Sequence, residues 1–318
     1  MRNERRPSLP IKQKTDQPII NPYLAVLLGV TGAGFSSIFT KLAEAPPLII
    51  AFYRLSFTVL ILAPFTFARG TGELRQMGKK DIILASFSGI MLALHFAVWI
   101  ASLNYTSIAS STVLVTMHPL FVITGGYVFY REGIRPIGLA GACLAVVGSV
   151  IIGVSDFQVG GQALYGDLLA FSGAIFVAGY VLIGRGLRTH LSLLPYIFVV
   201  YGMASLVLFL SALLLGNRLG PYPAWTWIYF LALALVPTIG GHTVFNWALK
   251  YVKAAVVSVT ILGEPIGATV LAYLIFHQVP TALQLLGGSI IIAGLAIFIW
   301  SSRGEGKVVE SCVQKKFT

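Results

Sequence analysis

The sequence predicts an all-α integral membrane protein in which ten transmembrane helices form two inverted five-helix repeats, with both chain ends on the cytoplasmic side. Three observations carry this expectation. Hydrophobic residues make up 57% of the 318 residues and charged residues 10%, with a mean hydropathy of +0.85, whereas a soluble domain carries roughly 25% charged residues. The apolar residues fall in runs of about 20, the length a helix needs to cross a hydrocarbon core, and not in the short alternating segments of barrel strands. Finally, Leu103 to Val154 aligns without a gap on Leu249 to Trp300, pairing Tyr105 with Tyr251, Pro119 with Pro265, Tyr127 with Tyr273, Gly141 with Gly287 and Gly148 with Gly294. An odd number of spans in each copy turns the second copy upside down relative to the first.

Charged or Pro/Gly-rich breaks divide the runs in order. The first span, Pro22 to Leu42, follows a polar arm, and Pro46 separates it from the second, Pro47 to Ala68. A basic loop precedes the third, Ile82 to Leu103, which ends at a polar joint around Asn104; the fourth, Ser107 to Tyr130, stops at Arg131. The fifth, Pro136 to Val154, completes the first copy. The second copy supplies Leu164 to Gly184, Leu191 to Gly216, Ala224 to Leu249, Ala254 to Phe276 and Thr281 to Trp300, with a joint at Lys250 in the position corresponding to Asn104. The organisation is thus an N-terminal arm (1–21), a first repeat (22–154), an extracytoplasmic linker (155–163), a second repeat (164–301) and a tail (302–318). Arm and tail read as flexible polar extensions, and no soluble domain stands between them.

Loop charge fixes the expected orientation, because short cytoplasmic loops carry the excess of Lys and Arg. The arm holds Arg2, Arg5, Arg6, Lys12 and Lys14, and alternate loops hold Arg69, Arg75, Lys79 and Lys80, then Arg131 and Arg135, then Arg185 and Arg188, then Lys250 and Lys253. The tail adds Arg303, Lys307, Lys315 and Lys316, so that only Arg218 and the span-embedded Lys41 and Arg54 stand elsewhere among the 22 basic residues. The net charge of +11 is therefore topological, an anchor to anionic lipid and not a nucleic-acid footprint. No cleavable signal pattern is evident, and Cys143 in a span and Cys312 in the tail offer no disulfide framework.

Four segments resemble a known family: GFSSIFTK ending the first span, the arginine of FYRLSFTVL in the second, YTSIASSTVLVTMHPLF followed by Glu132 after the fourth, and YVKAAVVSVTILGEPIGA in the ninth. With these the chain resembles the EamA type of the drug/metabolite transporter superfamily over nearly its whole membrane region. It departs from the family pattern at Gln278, where a second acidic residue often stands. The resemblance implies a multi-pass carrier of the inner (cytoplasmic) membrane for amino acids or related metabolites, often in the export direction. No cofactor and no metal are expected.

The residues point to a midplane site on their own account. Pro119 and Pro265 lie about halfway along the fourth and ninth spans, where each removes a backbone donor and clashes with a carbonyl four residues earlier, at Val115 and Ile261. Kinks are expected there, facing protein or a water-filled cavity. Beside them stand His118 and Glu264, ionisable groups at a depth where such groups face a polar interior and act. Arg54 in the second span needs a partner: Glu264, Glu44, a solute carboxylate or phosphate, or the outer interface by snorkelling. His95 and Trp99 share a face of the third span, as His242 and Asn246 do of the eighth. Tyr180 and Tyr201 read as interfacial aromatics and Lys41 as an interfacial anchor. The expected partners are a small-molecule solute and the lipid bilayer, with protons as an optional coupling ion, in a monomer or homodimer. An intramembrane enzyme or a channel-like pore is the alternative, but the sequence has no HExxH pair, no nucleophile elbow, no phosphate loop and no acidic ring.

Overall fold

The computed structural model describes residues 18–154, 161–277 and 279–315. The basic residues of the N-terminal arm, most of the 155–163 linker, and Gln278 lie outside the described residues. Ten helices are long and apolar enough to cross a membrane: α1 (Pro22–Leu42), α2 (Pro47–Arg69), α3 (Lys79–Ser102), α4 (Ser110–Tyr130), α5 (Pro136–Gly153), α6 (Gly161–Leu187), α7 (Leu193–Leu214), α8 (Ala224–Ala248), α9 (Ala254–Ile275) and α10 (Ala282–Ser302). No strand occurs among the described residues. Several ends differ from the sequence expectation by one to three residues. Helix α3 starts early enough to place Asp81 in its first turn, and α6 runs on to place Arg185 in its last, as the helix dipole favours. The tail does not leave as an extension: the last helix continues to Lys315, and no proline after Trp300 ends it.

The repeat is visible in the packing. Helix α5 lies along α10 and α2 along α7, while α3 packs on α6 as α8 packs on α1, and α4 touches α6 as α9 touches α1. Exchanging each span with its counterpart in the other repeat maps these neighbours onto one another. The α5–α10 contact shows the polarity directly. A Cβ placed on Gly141 would lie 2.8 Å from the Gly294 carbonyl oxygen, and one on Gly148 would lie 2.6 Å from that of Gly287. As the chain ascends one helix its partner residue descends the other, so these equivalent spans run antiparallel, as inverted copies must. Small residues let the backbones approach this closely where lipid offers no hydrophobic drive to associate. Large apolar side chains on the outside, among them Leu60, Phe129, Leu210, Leu274 and Ile292, face the hydrocarbon.

Four spans are irregular near their middle. Helix α1 is interrupted at Gly34. Helix α4 breaks between Val115 and Pro119, and α9 between Ile261 and Glu264. The prolines therefore do not kink continuous helices, as expected, but open the second half-helices. Proline costs nothing in a first helical turn, where its missing donor has no partner to lose, so the chain breaks and restarts there. The carbonyl this frees at Val115 accepts a hydrogen bond from His118 Nδ1 at 3.3 Å. In α8 the stretch Ala234–Thr243 is a π-helix containing Pro237, a wide turn frequent at functional sites.

Candidate solute-binding site

The irregular turns of α1, α4, α8 and α9 face the unbroken α3 around a cavity of about 40 Å³. Ser36, His95, Trp99, His118, His242 and Glu264 line it. A water-sized sphere needs about 10–15 Å³, so there is room for about three waters, against roughly 300 Å³ or more for an ordinary ligand pocket. In this conformation the cavity is too small for a solute of ordinary size.

Arg54 of α2 contacts Ser36 and Phe96 of the cavity wall and is fully buried, so it does not snorkel to the interface. The reason is that hydroxyls meet it at depth. Its Nε donates to Thr238 Oγ1 at 2.7 Å and its Nη1 to Ser36 Oγ at 2.8 Å, while the guanidinium carbon lies 4.2 Å from the centre of the Phe96 ring. The π-turn makes the first contact possible: the Thr238 hydroxyl gives its only proton to the Leu233 carbonyl at 2.7 Å, which leaves its lone pairs for Arg54. Arg54 Nη2 has no partner. Among the described residues no direct ion pair joins Arg54 to Glu264 or to Glu44.

The histidines are set by their other bonds. His95 Nδ1 donates to the Gly173 carbonyl at 3.0 Å, and His118 Nδ1 to that of Val115; in the neutral rings Nε2 is then a bare acceptor. His118 Nε2 has no partner, nor does the Trp99 indole N–H. His95 and Trp99 stack with ring centroids 6.2 Å apart, and His242 lies against Phe96 at 5.3 Å and His95 at 6.5 Å. A donor (Trp99 Nε1) and acceptors (His118 Nε2, the Glu264 carboxylate) thus line one cavity without satisfying each other, and the unpartnered Arg54 Nη2 belongs to a guanidinium tied to its wall through Ser36 and Phe96.

Asn246 does not line this cavity. Its amide nitrogen, with two hydrogens to donate, lies within hydrogen-bond distance of the His242 carbonyl at 2.8 Å and of the hydroxyls of Tyr201, at 3.3 Å, and Tyr180. These contacts turn it away from His242's side chain and into a buried cluster. Tyr180 and Tyr201 are members of that cluster, each 2% exposed or less, and not of an interfacial belt. Ser36, Phe96, Thr116 and Thr238 belong to the site and carry no signal in the sequence beyond small or apolar character; Pro237 followed by Gly240 and Gly241 is the one local mark of the π-turn.

The EamA-like transporter family model matches residues 20–154 and again 164–300. The chain belongs to that family. Relatives of this EamA-like transporter include an uncharacterized transporter of Archaeoglobus fulgidus, 28% identical with 86% of this chain and 94% of that protein covered. The pseudopaline exporter CntI of Pseudomonas aeruginosa is 24% identical over 88% and 96%. Human solute carrier family 35 member G1 is 22% identical over 91% and 82%. A solved crystal structure superposes with a TM-score of 0.72 at 19% identity, covering 89% of this chain and 97% of that one, which establishes the shared fold. The protein is a multi-pass membrane transporter of the drug/metabolite type.

In this EamA-like chain the acid after the fourth span forms a latch. Glu132 Oε1 accepts from Arg185 Nε at 2.7 Å and Oε2 from the Ala254 backbone N–H at 3.3 Å, while Arg185 Nη1 donates to the Leu249 carbonyl at 2.6 Å. Nearby Arg188 donates to the carbonyls of Asn246, at 3.0 Å, and Leu191. Burial draws the Arg188 guanidinium below its ordinary pKa, and Tyr196, Tyr251 and Glu73 draw it back up. Replacing Glu132 with Ala removes the acceptor of Arg185 Nε and of the Ala254 N–H and should cost about 1–3 kcal/mol. Thermal unfolding of the purified protein measures this; an unchanged midpoint would remove the latch from the stability of this face.

Proposed function

We propose that this transporter is a secondary carrier of the cytoplasmic membrane that moves a small polar metabolite, an amino acid or related compound, in the export direction by alternating access. Both termini are cytoplasmic in this reading, which rests on the distribution of Lys and Arg among the loops. The observation that carries the function is an unsatisfied Arg54 Nη2, on a guanidinium held by the cavity-lining Ser36 and Phe96, beside a cavity that Glu264 lines, with no ion pair between the two among the described residues. A guanidinium fork suits a carboxylate, and Glu264 with the bare His118 Nε2 suits an ammonium group. Export is favoured by the relative named as an exporter. The small volume of the cavity supports a mechanism in which the repeats rock apart to admit solute, since inverted repeats around a midplane site work in this way.

Counterflow of labelled L-amino acids in proteoliposomes tests the reading, because a carrier exchanges label against unlabelled solute. Glu264→Gln keeps the shape but removes the charge, and it should weaken counterflow of an ammonium-bearing solute by about tenfold or more. If Glu264→Gln leaves both exchange and its pH dependence intact, neither cation binding nor proton coupling belongs to Glu264.

A further inference from the structure

The membrane face that carries Lys41 holds a second cavity, of about 210 Å³, lined by Lys41, Glu44, Thr40 and Asn104 and reaching Ile50 and Ile100. Thr40, Ile50 and Ile100 stand one helical turn from Ser36, Arg54 and Phe96 on α1, α2 and α3. The two cavities are therefore stacked along the same three helices, a single turn apart.

The repeat shows what this outer cavity is missing. Lys41 Nζ donates to the Leu103 carbonyl at 2.9 Å, and Arg185 Nη1 donates to the Leu249 carbonyl at 2.6 Å. Leu103 and Leu249 are equivalent in the repeat, so one cation closes the end of α3 as the other closes the end of α8. On the Arg185 side a carboxylate, that of Glu132, completes the set at 2.7 Å. The sequence position equivalent to Glu132 is the neutral Gln278, and among the described residues no carboxylate lies within ion-pair distance of Lys41. Thr40, which is 5% exposed, lines the same cavity with a hydroxyl that has no hydrogen-bond partner.

We infer that this vestibule is a docking station for the carboxylate of the transported solute, held by Lys41 and Thr40 in the place that Glu132 occupies on the opposite face. Glu44, on the same wall, takes the cationic end of a zwitterion. The inference rests on the proposed carrier function and names a second site on its route. A solute passing from here to the midplane exchanges Lys41 for Arg54 across one helical turn, and its charge is matched at both stations.

The test uses the purified full-length chain with Cys143 and Cys312 replaced by Ser and Asn104→Cys labelled with bimane, titrated with propionate and with its neutral isostere propionamide. Propionate should give a saturable fluorescence change and propionamide none. Lys41→Gln should weaken the propionate response by about tenfold or more, Lys41→Arg should restore it, and Arg54→Gln should leave it in place. An equal response to both probes in the unmutated background would overturn the proposal, and that comparison needs no variant at Lys41. So would an undiminished response in Lys41→Gln, or a response lost in Arg54→Gln. Failure of the midplane reading looks different: counterflow would survive Arg54→Gln while the bimane titrations kept their expected pattern.

Discussion

Replacing Arg54 with Leu should lower counterflow by about 100-fold or more, the loss of one to two charge-assisted hydrogen bonds to a solute, while changing stability comparatively little. The split follows from two opposed effects. The substitution deletes the bonds to Thr238 and Ser36 and the contact with Phe96, each worth about 1–3 kcal/mol. It also removes a fully buried charge whose desolvation costs several kcal/mol, and buried charges replaced by apolar residues of similar volume are often neutral for stability. Folding thus loses little by giving up Arg54, whereas solute binding loses its anion-binding fork. Arg54→Lys retains the charge but not the fork, and cannot reach both hydroxyls while presenting a third donor; it should fall between the two. Counterflow and thermal unfolding measured on the same preparations separate the effects. A variant that unfolds yet, when folded, exchanges normally would make Arg54 a structural residue.

The spans were legible because a bilayer imposes one length on every crossing, and the polar joints at Asn104 and Lys250 mark the same boundary in both copies of the repeat. The midplane site was legible as far as its ionisable groups, since His118, Glu264 and Arg54 stand out against an apolar background. Their partners were not. Ser36 and Thr238 are ordinary hydroxyls in membrane helices, and only the π-turn before Thr243 brings Thr238 to Arg54. The same limit explains Tyr180 and Tyr201: sequence position near a span end suggests an interface, whereas their hydroxyls are committed to Asn246 in the interior. Pro119 and Pro265 announced irregular backbone, but a kink and a break cost the same donor, and the choice between them depends on neighbours such as His118 that take up the freed carbonyl.

The largest effect on folding is expected at the seam between α5 and α10. A Cβ on Gly294 would lie 2.5 Å from the Ala145 nitrogen and 2.6 Å from the Gly141 oxygen, and one on Gly287 would lie 2.5 Å from the Gly148 oxygen. These neighbours are backbone atoms, which no rotamer change can move aside, so the helices themselves must separate. Gly294→Ala should cost about 1–3 kcal/mol as overpacking does, and Gly294→Leu should prevent recovery of folded protein. Gly202, in the middle of α7, has nothing within 4 Å of its Cβ position, and Gly202→Ala should instead be neutral or stabilising by about 0.5–1 kcal/mol, the ordinary difference between glycine and alanine in a helix. Gly148→Ala meets the seam at Gly287 and Gly294→Ala meets it at Gly141. If each crossing point responds separately the two losses add; if the first substitution already parts the helices, the second costs less than it does alone, a coupling that a double-mutant cycle measures. Equal unfolding midpoints for Gly294→Ala and Gly202→Ala would show that α5 and α10 do not meet backbone to backbone, and the antiparallel seam between the inverted copies would lose its support.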